Sequence, residues 1–174
     1  MPLRVHRRGP ETPLQVRSGH GVFTGYASLF GRRDGQGDIV LPGAFAASLK
    51  KRGAASIRML FQHDPGEPVG KWSEIRETAR GLYVRGVLNT RVQRGRELLA
   101  LLEQGGLDGL SIGFRTVRAR NERTIAARLL LEVDLWEISL VTFPMLDGAR
   151  VSGLVTPKKT QPNQHVKGEV SAWT

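Results

Sequence analysis

The sequence predicts a strand-rich α+β fold of six or seven strands with two helices. Three observations carry that expectation. Glycine is abundant (21 of 174 residues) and aromatic residues are scarce (6%), a balance that favours many tight turns over a helical bundle. Apolar residues recur in short runs of strand length, bounded by Gly, Pro and Asp breaks. Helical spacing of apolar side chains is confined to two segments. A chain of this length suits one domain and can bury roughly 70% of its unfolded surface, so a core needs no covalent staples. There are no cysteines, which excludes a disulfide framework, a thiolate metal site and a cysteine nucleophile.

The elements follow in order. Residues 1–20 are basic and without period, and are expected to form a flexible arm. Val22 to Phe30 reads as a strand, followed by a Gly/Asp turn over Gly31 to Asp38 and a short strand, Ile39-Val40-Leu41. Pro42 opens a short helix through Leu49. Lys50, Lys51 and Arg52 fall in its last turn, where cations suit the helix dipole, and Gly53 stops it. Ile57 to Phe61 is a strand that delivers Gln62-His63-Asp64 to a loop containing Pro65 and Gly66. Val69–Ile75 and Leu82–Leu88 are two more strands. The second places Leu82, Val84, Gly86 and Leu88 on one face. Asn89 or Thr90 can cap a helix carrying Leu98, Leu99, Leu101 and Leu102, which Gly105-Gly106 ends. Leu110–Val117 and Leu129–Phe143 are the last strands, joined by a charged loop around Asn121 and stopped by Pro144. The compact domain is thus expected over residues 21–154, with a polar, proline-broken tail over 155–174.

The net charge is +10, and 20 of the 26 basic residues are arginine. An excess of this kind fits a polyanionic partner. The arginines are scattered, however, and the cluster Arg115, Arg118, Arg120, Arg123 and Arg128 has no interleaved aromatics to stack on bases. A solvated surface is the preferred reading, and nucleic acid is not expected as a partner. No apolar run reaches the ~18–20 residues of a membrane span, and the N-terminus lacks the apolar segment of a secretory signal. A cytoplasmic protein is expected. Asp34-Gly35-Gln36-Gly37-Asp38 lacks the further oxygen donors of a calcium loop, so it reads as a solvated turn. No metal or other cofactor is expected.

Three residues carry chemistry. Gly109-Leu110-Ser111-Ile112-Gly113 matches the G-x-S-x-G pattern around a serine nucleophile. The α/β-hydrolase context of that pattern is excluded. The chain is short, lacks strand–helix alternation, and has after Ser111 only His165, in the tail. A triad is a geometry rather than a chain order, so the serine can serve on another fold. His63 ends an apolar strand, where a rigid element can present an imidazole as general base. Its alternative is a strand-end histidine bonded to a backbone carbonyl. His6 and His20 lie in the basic arm. Glu137 stands in a strand whose two faces are otherwise mostly apolar, with Leu135, Ser139 and Val141 on its face, so a half-buried carboxylate needing a partner is expected. That partner is either an arginine or an imidazole. Ser139 is a rival nucleophile that lacks flanking glycines, which would let a substrate backbone approach the hydroxyl.

Five segments in order resemble the prohead (capsid maturation) protease family of tailed bacteriophages. They are Gly25-Tyr26-Ala27-Ser28-Leu29-Phe30, Asp38-Ile39-Val40-Leu41-Pro42-Gly43-Ala44-Phe45, Met59-Leu60-Phe61-Gln62-His63-Asp64, Gly109-Leu110-Ser111-Ile112-Gly113-Phe114, and Leu135 through Pro144. The chain departs from the family pattern at Met145-Leu146-Asp147, where small or amide residues are more usual. The resemblance implies a fold similar to the herpesvirus maturation protease: a mostly antiparallel barrel of six to seven strands with flanking helices. It implies a serine endopeptidase using His63, Ser111 and Glu137, with Glu137 in the place a histidine takes in the herpesvirus enzymes. Its implied partners are the major capsid protein, through its scaffolding segment, and further copies of the chain itself, through self-cleavage or dimerisation. The implied location is the assembling prohead in the host bacterial cytoplasm. Two other classes stay open at this stage: a catalytically silent capsid-assembly or scaffolding protein on the same fold, and a small basic nucleic-acid-binding barrel.

Overall fold

The structure is a computed structural model and describes residues 21–155. The predicted arm (1–20) and the tail beyond residue 155 lie outside the described residues, and with them His6, His20 and His165. Eight strands form one mixed sheet: β1 (Val22–Leu29), β2 (Asp38–Val40), β3 (Arg58–Phe61), β4 (Asp64–Glu77), β5 (Gly81–Leu88), β6 (Gly109–Glu122), β7 (Ala127–Val141) and β8 (Val151–Val155). Two helices flank it, α1 (Ala46–Arg52) and α2 (Gln93–Glu103). The hydrogen-bonded order is β2-β7-β3-β4-β5-β1-β8, with β6 added on β7. Pairing is antiparallel except where β2 and β3 run parallel to β7.

The strand-rich α+β class expected from the sequence holds. Two details differ. There are eight strands rather than six or seven, and the sheet does not close into a barrel. The additional strand is β8. Its five residues include a central glycine and show no apolar alternation, so it carries no local signal. It becomes a strand because it covers the edge of β1, from Val22 opposite Val155 to Gly25 opposite Val151. Ring closure stops short because β6 meets the segment before β8 only at its first residues. Leu110 N–H donates to the Ala149 carbonyl at 2.9 Å and Val151 N–H to the Asp108 carbonyl at 2.8 Å. Beyond Leu110, the outer edge of β6 has no backbone partner among the described residues.

Strand β7 organises the molecule. Its whole length pairs with β6, from Ala127 opposite Glu122 to Val141 opposite Gly109. Its other edge is shared by β2 at Arg128–Leu130 and β3 at Glu137–Leu140. The register on β6 slips between Gly113 (opposite Glu137) and Phe114 (opposite Leu135), leaving Trp136 as the extra residue of a bulge. A bulge inverts the alternation of side chains past it. Leu135 therefore joins Ile138 and Leu140 in the main core, whereas unbroken alternation would place it beside Glu137. Trp136 turns outward, 53% exposed, and its indole N–H donates to Asp134 at 2.9 Å.

Both helices begin later than their sequence signals suggest. Pro42 to Phe45 form a turn rather than helix, because the Glu77 carboxylate accepts the N–H groups of Gly43 (3.0 Å) and Phe45 (2.8 Å). This holds Phe45 in the core just before α1. Arg52, in the last turn of α1, reaches Asp134 on β7 at 2.8 Å. That hydrogen bond, with a second from the Trp136 indole, holds the Asp134 carboxyl well below the ordinary range. Asn89 turns its side chain onto the Arg91 N–H at 3.2 Å, so α2 starts only after Val92.

The core packs Phe23, Trp72, Leu82, Val84, Leu110, Leu130, Leu135, Ile138 and Leu140 between the curled faces of the sheet. Phe23 and Trp72 meet edge-on, with centroids 5.6 Å apart. Gly86 is what admits that pair, since a Cβ there would come within 2.8 Å of Phe23, Trp72 and Met59.

Candidate active site

Strand β3 continues past Phe61 into a two-residue turn. Phe61 pairs with Asp64, so Gln62 and His63 alone join β3 to β4. Both have positive φ, 54° and 60°, the type I′ pattern that matches hairpin twist. Asn and Gly normally occupy such positions, and a bulkier residue there costs about 1–2 kcal/mol. The strain is held by bonds to β7. Gln62 N–H donates to the Leu140 carbonyl at 3.0 Å, and the Gln62 amide donates to Thr142 Oγ1 at 2.7 Å. His63 N–H donates to Ser139 Oγ at 3.1 Å. The sequence places His63 in a loop running through Pro65 and Gly66. In the structure β4 has already begun at Asp64, and the imidazole sits on a tight hairpin.

That turn sets the His63 ring against Glu137. Nδ1 lies 2.6 Å from Glu137 Oε1, the carboxylate side chain being 13% exposed and the imidazole 43%. The hydrogen bond to Glu137 and its negative charge raise the His63 pKa above the ordinary value, burial opposing them. With Nδ1 donating to the carboxylate, Nε2 is the basic nitrogen. Of the two partners expected for Glu137, the structure chooses the imidazole, and no arginine bonds it among the described residues. The other oxygen, Oε2, accepts the Ser139 hydroxyl at 2.7 Å.

Ser111 enters from the neighbouring strand. It lies directly opposite Ser139, and Gly113 directly opposite Glu137. Cross-strand partners project to the same face with Cβ atoms about 4.5–5.5 Å apart. Ser111 therefore stands one strand away from the hydroxyl that holds the His63 backbone. It is 5% exposed, no described residue hydrogen-bonds its hydroxyl, and no buried side-chain oxygen among the described residues lacks a partner. It also borders a small cleft lined by Ala27, Ser28, Arg32, Ile112 and Met145.

The glycines of the Ser111 motif have a role that the sequence does not signal. Both are sites of close internal packing. A Cβ on Gly113 would lie 2.7 Å from Glu137 Cδ, and one on Gly109 would lie 3.0 Å from Pro144 Cδ. Gly113 thus leaves free the space on β6 that the Glu137 carboxylate occupies. Gly113→Ala is expected to keep the fold and to lower activity at least roughly 100-fold, because a misplacement of about 1 Å suffices for that. Unchanged processing of a protein substrate by this variant would show that the carboxylate position is immaterial.

Ser139, the rival nucleophile, is 0% exposed. Its only proton is given to Glu137 and a lone pair is taken by His63 N–H, so it has neither the access nor the free hydroxyl of a nucleophile. The other sequence candidates lie apart. Asp34 Oδ1 accepts the N–H groups of Gln36 and Asp38 at 2.9 Å, and Asp38 faces Arg128 at 2.7 Å. Arg115, Arg118 and Arg120 sit 3.7–3.8 Å from Asp134, Glu132 and Glu122 along the outer part of the β6–β7 hairpin.

A family model described as caudovirus prohead serine protease matches residues 11–165. The chain belongs to that family. The prohead protease of Enterobacteria phage HK97 is 38% identical over 77% of this chain and 60% of its own length. The prohead protease of Escherichia phage T5 is 26% identical over 80% of this chain and 67% of its own length. The chain thus spans about two thirds or less of these relatives. The crystal structure of the KSHV protease with a hexapeptide phosphonate inhibitor superimposes with a TM-score of 0.50 at 11% identity, covering 75% of this chain and 63% of that one. The herpesvirus-protease-like fold implied by the resemblance is therefore shown. Sequence reasoning missed Gln62, Thr142 and the structural role of Gly113. Only Ser139 left a signal, as a polar residue in an apolar strand beside Glu137.

Proposed function

We propose that this prohead protease family member is a serine endopeptidase. Its substrates are the scaffolding segment of the phage major capsid protein and the chain itself, during prohead maturation in the host cell. The observation that carries this reading is the His63–Glu137 pair at 2.6 Å, with Ser111 on the adjoining strand and the same face. Glu137 fixes the imidazole with a proton on Nδ1 and leaves Nε2 to act on Ser111. Catalytic hydrogen bonds are often long in unliganded enzymes and shorten when substrate binds.

In the mechanism, His63 Nε2 takes the Ser111 proton as Oγ attacks the peptide carbonyl. The imidazolium, stabilised by Glu137, then gives that proton to the departing amine. Water repeats the sequence in reverse, donating its proton to His63 and its oxygen to the acyl group, and Ser111 is restored. Each oxyanion-hole donor contributes about 3 kcal/mol to such a reaction. No helix of the described residues is long and apolar enough to cross a membrane. The test is co-expression with the capsid protein of the same genome, followed by mass measurement. Removal of the scaffolding segment and shortening of the protease are expected. Full-length capsid protein persisting beside folded protease would contradict the proposal.

A further inference from the structure

We propose that Ser139 is a positioning residue of the site: its buried hydroxyl locks Glu137 and the His63 backbone together, so that the imidazole keeps one orientation. The inference rests on the reading of Ser111, His63 and Glu137 given above and adds a fourth residue to it. Ser139 Oγ donates to Glu137 Oε2 at 2.7 Å and accepts from His63 N–H at 3.1 Å, while Glu137 Oε1 meets His63 Nδ1 at 2.6 Å. These contacts close a ring. One carboxylate oxygen grips the imidazole, and the other grips the backbone of the same residue through a single hydroxyl.

Three features make this more than a core serine satisfying itself. Ser139 is 0% exposed, and a hydroxyl so buried is costly unless it is hydrogen-bonded. Its acceptor bond falls on a residue in a left-handed conformation (φ 60°), which needs external support. Its donor bond falls on the one Glu137 oxygen that the imidazole leaves free. Without the hydroxyl, the carboxylate loses its orientation and the turn loses an anchor, so Nε2 spends less time facing Ser111. Ser139 itself touches no reacting atom in this scheme.

The test uses the full chain and diisopropyl fluorophosphate, which phosphorylates an activated serine with loss of fluoride. Labelling rates are measured across a pH series for the wild type and for Ser139→Ala, Ser139→Cys and Ser139→Thr, with melting temperature as the control for folding. Wild type should be labelled at Ser111. Ser139→Ala and Ser139→Cys should be labelled about 10- to 100-fold more slowly, a part of the usual contribution of general base catalysis. Their pH midpoint should move down as His63 loses its fixed carboxylate. Ser139→Thr, which keeps the hydroxyl, should recover both rate and midpoint relative to Ser139→Cys. If Ser139→Ala does not fold, the Cys and Thr pair decides. Wild-type labelling at Ser111 with unchanged rate and midpoint in the folded variants overturns the positioning role alone. A fall in melting temperature without any shift of midpoint overturns it too, as packing. Absence of labelling at Ser111 in the wild type, or an adduct on Ser139, overturns the underlying assignment and this role with it.

Discussion

Ser111→Ala is expected to yield a folded protein that leaves the co-expressed capsid protein intact. The rate of processing should fall at least roughly 10⁴-fold, because loss of a nucleophile removes what the base and its carboxylate act upon. Folding should be nearly unaffected. No described residue bonds the Ser111 hydroxyl, so its removal leaves no buried group among the described residues without a partner. A hydroxyl that made one hydrogen bond would contribute only about 1 kcal/mol. Thermal unfolding and product mass, measured on the same preparation, separate the two effects. Processing at the normal rate by this variant would remove Ser111 from the mechanism.

Glu137→Gln should have the second-largest effect. The amide keeps the size of the carboxylate but not its charge, and its NH₂ can face His63 Nδ1 and enforce the wrong tautomer. Activity should fall roughly 10²- to 10⁴-fold. The pH profile should move as well. The Glu137 hydrogen bond and charge raise the His63 pKa, and a general base works in its neutral form. In the wild type, the acid limb of the rate is therefore expected to have its midpoint above the ordinary histidine value. In Glu137→Gln that midpoint should drop. Stability has the opposite sense. A raised pKa stabilises the fold fully below the unfolded histidine value of 6.5, and that contribution is lost as pH rises through the folded value. The pair thus contributes least to stability where the enzyme is most active. Titration of the His63 ring by NMR in the two proteins measures the shift, and equal midpoints would mean that the carboxylate does not govern the imidazole.

The parts of the site that were legible in sequence are those with a local cause. His63 follows an apolar strand. Ser111 lies in a glycine-flanked string. Glu137 is a carboxylate on a mostly apolar stretch of its strand. What sequence hid depends on pairing between distant segments. The Gln62-His63 turn has positive φ without Asn or Gly, and bonds to Glu137, Leu140, Ser139 and Thr142 stabilise it. The Trp136 bulge, which sends Leu135 into the core, exists only in the register of β7 on β6. The purpose of Gly113 appears only when Glu137 is opposite it. The β8 strand has no pattern of its own and depends on the edge of β1. Seven of the eight strands were therefore readable from apolar runs and alternation, whereas β8, turn type, bulge position and ring closure were decided by long-range contacts.

The central claim is that Ser111, His63 and Glu137, drawn from three separate strands and turns, act as one unit. A crystal structure of the protein phosphonylated by a small fluorophosphonate tests this most directly. Phosphorus on Ser111 Oγ is expected, with His63 Nε2 within roughly 3.2 Å of the adduct's oxygen and Nδ1 still on Glu137. An adduct on another residue, or an imidazole turned off Glu137 and out of reach of Ser111, would contradict the account.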